Sequence, residues 1–344
     1  MSSPRILVIR PDRIGDVVLS VPVLEALRNR WPEAYLAMMV RPYTRDILIG
    51  NPWIDEIIID DPDHAHRGPT GFLKQIRKLR TGTFDTALML LPTMRIAWML
   101  FLASIPRRIG VGHTIYQTLT FTRSVSRNQY IPLRHETDYC LDMAEAIGVP
   151  VKTNRTSIFI MDEERACARS ILNFETDRPR IGIHPGNGHS APNWSPERYG
   201  DLAYQLQKQY KAQIVVTGDA NEKTLAKRIQ ARTSEAVVSM AGQLSLRQLI
   251  AVINELDVLV SSSTGPMHLA GALGVPTVSL FCPLSARSPQ RWRPLGDHSS
   301  ILLPPNGECA TCDHGPMCDL SDISVDMALN AIEEQLSNCQ IENQ

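Results

Sequence analysis

Hydrophobic and polar positions along this chain alternate between two periods. Short apolar runs bounded by turn residues occur at Arg5–Arg10, Tyr35–Val40, Asp55–Ile59, Thr86–Leu91, Arg180–His184, Gln213–Thr217, Ala236–Ser239, Val258–Val260 and Thr277–Phe281. Each predicts a buried strand. Between them, apolar residues recur three and four positions apart. That spacing predicts helices over Val17–Arg30, Leu73–Leu79, His135–Ile147, Glu163–Leu172, Glu197–Lys208, Asn221–Gln230, Leu246–Asn254 and Val325–Leu336. Strands alternating with helices predict parallel, doubly wound α/β sheets. The polar segment 111–134 fits neither period and reads as a loop.

The alternation pauses at Val149–Arg155, a Pro-containing stretch with linker character, and then restarts. Two domains are expected, 1–155 and 156–322, followed by a final helix within 323–344 that packs back toward the first. Ligands should sit at the carboxyl edges of both sheets. The stretch Asp257–Phe281 reads as strand, turn, helix, strand. Ser263 or Thr264 is suited to cap the helix, Pro266 to its first turn, and Gly274 to its end. The turn would aim free helix N–H groups at the sheet edge, an anion site suited to the diphosphate of a nucleotide sugar. An ordinary capped βαβ unit is the alternative.

Composition narrows this picture. The 344 residues are 43% hydrophobic and 21% charged, as in soluble globular proteins. No apolar run approaches the roughly 18 residues of a membrane span. The N-terminus enters a strand without signal-peptide architecture, and seven scattered cysteines suggest reduced thiols and the cytosol. The net charge of −1 hides an asymmetry: residues 67–134 hold eleven Lys/Arg against one acid, Asp85. An anionic partner is expected there. Nucleic acid fits poorly, because aromatics are sparse and no nucleic-acid motif occurs. A lipid headgroup or membrane surface fits well. A merely solvated basic face is the alternative.

Five motifs occur in order: Arg10–Leu24 (RPDRIGDVVLSVPVL), His184–Asn187 (HPGN), Asn193–Tyr199 (NWSPERY), Met240–Leu246 (MAGQLSL) and Ser263–His268 (STGPMH). Together they make the chain resemble the lipopolysaccharide heptosyltransferases, glycosyltransferase family 9, from Arg5 to about Leu336. The resemblance implies a GT-B fold of two Rossmann-like domains facing a cleft. It implies inverting, metal-independent transfer of heptose from ADP-heptose to the lipopolysaccharide inner core, either Kdo-lipid A or heptosylated core. No cofactor is implied beyond the nucleotide-sugar substrate. The basic half would then meet an anionic lipopolysaccharide precursor, with the enzyme cytoplasmic and peripheral at the inner face of the membrane. The alternatives are a family member using another nucleotide sugar or glycolipid acceptor, and a non-catalytic nucleotide-sugar-binding protein.

Inverting transfer needs a base within about 3 Å of the acceptor hydroxyl. Asp16 matches the family's Gly-Asp motif and takes that role; Asp12 is its local rival, and simple helix capping is the other reading of Asp16. Gly15 would allow close backbone approach to a sugar. Arg13, Lys74, Arg77, Lys78 and Arg123 are assigned to the acceptor. Thr264, Gly265 and His268 match the family's phosphate-binding turn. His184, Gly186, Asn193, Met240, Gly242, Glu222 and Ser263 complete the assigned donor site. Glu222 would accept from a ribose hydroxyl, with Asp219 and Asn221 as rivals. Two positions depart from the family pattern: Ser263 stands where many members have Asp, and Asn193 where many have Lys. His189, Arg198 or Arg291 would then have to supply the missing cation. Cys309, Cys312, His314 and Cys318 have zinc-like spacing, but a local cap is the preferred reading and no metal is assigned.

Overall fold

Arg5–Ile9 is a strand whose residues after Arg5 are all aliphatic and buried on both faces of the sheet, as a central parallel strand requires. It is β1 of a computed structural model. The structure describes residues 3–112, 114–126, 133–173, 177–188, 190–233, 235–305, 307 and 319–342, without the side chains of 285 and 339–342. The chain divides into two compact units, Met1–Phe159 and Ile160–Gln344. The sequence predicts the boundary at 155.

In the first unit β1 is followed by α1 (Ile14–Val18), α2 (Val21–Arg30), β2 (Tyr35–Val40), β3 (Glu56–Ile59), α3 (Gly68–Thr81), β4 (Thr86–Met89), α4 (Met94–Leu102), β5 (Arg107–Val111), α5 (Ile115–Thr120), β6 (Arg123–Val125) and α6 (Glu136–Glu145). The parallel sheet runs β3-β2-β1-β4-β5-β6. Right-handed crossovers place α3, α4 and α5 on one face and α1, α2 and α6 on the other. Leu7, Ile9, Ala87 and Met89 meet Ile76, Leu79, Ile96, Met99 and Leu100 on the first of these faces. Each Leu, Ile or Met among them gains about 1.5–3 kcal/mol on burial.

The single helix expected over 17–30 is two helices. Pro22 has no N–H to give Val18, so the ladder cannot pass through it. The Ser20 hydroxyl donates to the Asp16 carbonyl at 2.7 Å across the break. The segment expected to be a loop, 111–134, begins with the end of β5 and contains α5 and β6. There the helical stretch is only six residues long, too short for its period to show.

The second unit comprises α7 (Asp162–Leu172), β7 (Arg180–His184), α8 (Pro196–Tyr210), β8 (Gln213–Val216), α9 (Lys223–Gln230), β9 (Val238–Ser239), α10 (Leu246–Asn254), β10 (Val258–Ser262), α11 (Gly265–Leu273), β11 (Thr277–Leu280), α12 (Pro289–Trp292), β12 (Ser299–Leu302) and α13 (Val325–Glu342). Its parallel sheet runs β12-β11-β10-β7-β8-β9. The last helix, expected from sequence to pack toward the first domain, buries Ala328, Leu329, Ala331 and Ile332 with Ile181, Ile183, Val258 and Val260 in this second core.

Candidate functional site

Each sheet reverses its strand order once: between β1 and β4 in the first unit, and between β7 and β10 in the second. Loops leaving such a pair part to opposite faces and open a crevice at the carboxyl edge. Asp16 follows β1 at the first of these places, and His184, Gly186 and the start of α11 follow β7 and β10 at the second.

In the first unit, β1 runs into Arg10, which is 1% exposed although cationic. Its guanidinium is the centre of a carboxylate cluster. Nε meets Asp12 at 2.8 Å, Nη2 meets Asp16 at 2.5 Å, and Nη1 meets Glu136 at 3.1 Å. Nη1 also reaches the Cys140 sulfur at 3.4 Å. A buried guanidinium requires such pairing, since an unpaired one would cost several kcal/mol. Burial pushes the Asp12 carboxyl up to about 7, reinforced by Asp16 and Glu136 and opposed by Arg10. The backbone carbonyl of Asp12 accepts from the Tyr43 hydroxyl at 2.7 Å. Asp16 stands in the first turn of α1, whose cap residue, Arg13, is exposed.

The other assigned acceptor residues do not join Asp16. Lys74, Arg77 and Lys78 are exposed on α3. Lys78 pairs with Glu56 at 3.3 Å, the first residue of β3 and so at the sheet's amino edge. Arg123 opens β6 and donates to the Ala146 carbonyl, capping α6. Sequence reasoning assigned no role to Arg10, Glu136 or Cys140. The signal available was a charged residue closing an otherwise apolar strand.

In the second unit, His184 ends β7 and its Nδ1 lies 2.9 Å from the Thr217 hydroxyl. Burial lowers its pKa to about 4, so the ring is neutral near pH 7. Gly186 follows. A Cβ there would lie 1.8 Å from Glu222 Oε1, so any side chain at 186 would displace that carboxylate from its present place. Glu222 Oε2 accepts from the Asp219 N–H at 2.8 Å, and burial raises its pKa. Met240 is buried beside Val216, to whose carbonyl its N–H donates at 2.8 Å. Gly242, at φ 67°, donates to the Gly218 carbonyl at 2.9 Å. A Cβ on Gly242 would sit 2.8 Å from the Ala220 backbone.

Beside these residues β10 ends and α11 begins. Thr264 is the N-cap but makes no side-chain cap bond; its hydroxyl instead donates to the Ser262 carbonyl at 3.3 Å. The α11 amides thus face the edge without a side-chain acceptor from their own cap. Ser263 is half-buried, Gly265 opens the helix, and His268 is buried one turn in.

Asn193 is occupied structurally. Its Nδ2 donates to the Pro185 carbonyl at 2.7 Å. Its Oδ1 accepts from the Tyr199 hydroxyl at 2.7 Å and the Trp194 N–H at 2.9 Å. Of the proposed replacement cations, Arg198 donates to the Ile323 carbonyl at 2.9 Å, and Arg291 lies over the Trp292 ring at 4.6 Å. His189 lies outside the described residues, as do Cys309, Cys312, His314 and Cys318. A residue that sequence reasoning missed is Arg287, in the turn after β11. Its Nη1 is buried without a hydrogen-bond partner among the described residues. Among those residues no cluster of three or more His, Cys, Asp or Glu is placed to hold a metal.

The sequence matches the profile "Glycosyltransferase family 9 (heptosyltransferase)" over residues 72–317. It is 26% identical to lipopolysaccharide heptosyltransferase 2 of Escherichia coli K12, over 95% of this chain and 98% of that one. Two solved structures share the fold. A family 9 glycosyl transferase from Veillonella parvula superposes with a TM-score of 0.86 at 23% identity, covering 97% of each chain. The E. coli ADP-heptose lipopolysaccharide heptosyltransferase II gives 0.81 at 23% identity, covering 98% of this chain and 99% of that one. The GT-B fold is therefore shared over nearly the whole length. The match covers most of the chain, both sheets have the doubly wound order, and the family motifs stand at their carboxyl edges: this chain is a glycosyltransferase, a member of family 9, the heptosyltransferases.

Proposed function

We propose that this enzyme transfers a heptose from ADP-heptose to the inner core of lipopolysaccharide, with inversion and without a metal, at the cytoplasmic face of the inner membrane. The observation that carries the reading is that Gly186, Glu222, Met240, Gly242 and the α11 N-terminus all follow strands at the carboxyl edge of one sheet, with Gly186 against Glu222 and Gly242 against the 218–220 turn. Glu222 takes a ribose hydroxyl, and Met240 and Gly242 line the nucleoside. The α11 amides, Thr264 and Gly265 take the diphosphate, whose growing charge on departure they stabilise. Ser263 and His268 lie toward the sugar and phosphates. Neutral His184 donates or accepts without adding charge. Arg287 supplies the cation that Asn193 does not.

Asp16 is the base. It takes the proton from the acceptor hydroxyl as that oxygen bonds to the anomeric carbon and the ADP oxygen leaves. Arg10 holds Asp16 from behind, while the exposed Arg13 meets an acceptor anion. Purified enzyme with ADP-heptose and Kdo2-lipid A should yield a heptosylated product by mass spectrometry together with stoichiometric ADP. Donor binding with no product on any core acceptor would favour a non-catalytic binding protein. Turnover with a different nucleotide sugar alone would replace the donor assignment.

A further inference from the structure

The α3–α5 face of the first unit carries an unusual surface. Six of the nine exposed large hydrophobic side chains found among the described residues are here: Leu73, Met94, Phe101, Leu102, Ile115 and Leu119. Helix α4 is apolar at every position but Arg95, which pairs with Asp60 at 3.3 Å. Ile96, Ala97, Met99 and Leu100 fill the core, while Met94, Phe101 and Leu102 are exposed and Trp98 is half-buried. A helix of this kind is normally covered on every side. Ile115 is 82% exposed and Leu119 60% exposed on neighbouring α5, which widens the apolar strip. Soluble proteins rarely leave such contiguous patches bare without a binding purpose.

Cations border the strip. Arg80 donates to the Leu102 carbonyl at 2.7 Å, and the Arg108 guanidinium lies 5.3 Å from the Phe101 ring centre. Lys74, Arg77 and Arg107 are exposed and have no ion pair among the described residues. The one acid of residues 67–134, Asp85, is turned away to the β1 backbone, accepting from the Arg5 N–H at 2.7 Å. An isologous dimer through this face would bring like charges together, which disfavours a second copy as the occupant. A bilayer with anionic headgroups matches both features at once: apolar side chains enter the headgroup–acyl boundary while the rim cations meet phosphate.

We propose that the outward face of α4 and α5, with Lys74, Arg77 and Arg107 at its rim, docks this protein on an anionic membrane surface. Met94 and Ile115 open helices that follow β4 and β5. The docking face therefore begins at the carboxyl edge of the first sheet, the edge at which Asp16 lies, and runs to its amino edge at Leu102 and Arg107. The inference deepens the functional reading above, which puts the acceptor in a membrane, and it gives α3 a role other than the acceptor contacts assigned from sequence.

The test is flotation of the full chain with vesicles of phosphatidylcholine alone or mixed with phosphatidylglycerol. Wild type should float with the mixed vesicles and much less with the neutral ones. Ile115→Asp/Leu119→Asp should weaken partitioning at least about tenfold. Lys74→Ala or Arg107→Ala should each weaken it about fivefold at low salt, with the loss fading as salt rises. Heptose transfer to a lipid-free core oligosaccharide should be unchanged in Ile115→Asp/Leu119→Asp, which shows that the fold is intact. Equal flotation of wild type and that double variant would overturn the proposal. So would absence of flotation by wild type, or a wild-type dimer that the double variant dissolves. No transfer by wild type to any acceptor would instead count against the functional reading and leave the docking result standing.

Discussion

Arg10 donates to Asp16 at 2.5 Å and, from the other arm of the same guanidinium, to Glu136 at 3.1 Å. The two carboxylates lie 120 positions apart in sequence, yet one buried cation orients both. Asp16→Asn is expected to lower turnover by at least about a hundredfold while leaving ADP affinity unchanged. Glu136→Ala removes only the far partner. It should lower kcat about tenfold through misplacement of Asp16, without changing donor KM. Arg10→Met should cost about 3–5 kcal/mol in urea unfolding, because buried carboxylates lose their counter-charge. A fully active Glu136→Ala enzyme would show that Asp16 needs no support from it.

The two sheet edges respond to pH with opposite signs. Asp12 keeps its proton in the folded chain up to about 7, whereas its ordinary value is 3.8. Between those values the folded state binds more protons than the unfolded one, so this group lowers stability as pH rises. His184 is the reverse. It titrates at about 4 when folded, against 6.5 ordinarily, so it lowers stability as pH falls through that window. Each slope is at most about 1.4 kcal/mol per pH unit. Melting curves at several pH values are expected to show His184→Asn gaining on wild type in acid. Asp12→Asn should gain on wild type toward neutrality.

Gly186 and Glu222 share one space. A methyl group at 186 would lie 1.8 Å from the Glu222 carboxylate and push it aside. Gly186→Ala is therefore expected to weaken ADP binding to the same degree as Glu222→Ala, about tenfold for one charged hydrogen bond, as read by calorimetry. If Gly186→Ala binds ADP normally while Glu222→Ala does not, the carboxylate has room to move.

On the proposed reading Arg287 supplies the cation that a lysine at position 193 would have given, and Asn193 stays in its own hydrogen-bond network. Arg287→Met should raise the ADP Kd about tenfold and leave adenosine binding unchanged, because only the diphosphate loses a charged partner. Asn193→Lys should not restore that loss. Instead it breaks the bonds to Pro185, Trp194 and Tyr199 and is expected to cost about 1–3 kcal/mol of stability. Tighter ADP binding by Asn193→Lys would show that the network yields at little cost.

The strands and the strand–turn–helix around 257–281 were legible because their determinants are local. Arg180–His184 and Leu246–Asn254 match their predicted bounds, since an apolar run or a helical period needs no partner to be seen. Thr264, Gly265 and Pro266 announce a strand–turn–helix for the same reason. Helix α4 was not legible: Met94–Leu102 is apolar at nearly every position, so no period marks it. The basic residues of α3 were legible as charge but not as place. Lys78 proves to sit beside Glu56, and Arg123 caps α6, because crossover geometry rather than composition decides which sheet edge a side chain reaches.

By itself, the sequence determined the two alternating α/β patterns, the family motifs and the surplus of positive charge in the first half. Only the tertiary structure decided that Arg10 gathers Asp12, Asp16 and Glu136, that Asn193 is consumed by packing, and that one helix presents apolar faces on both sides. The reason is physical. Periodicity and turn chemistry act over a few residues, whereas the pairing of a buried charge is settled by whichever distant element the fold packs against it.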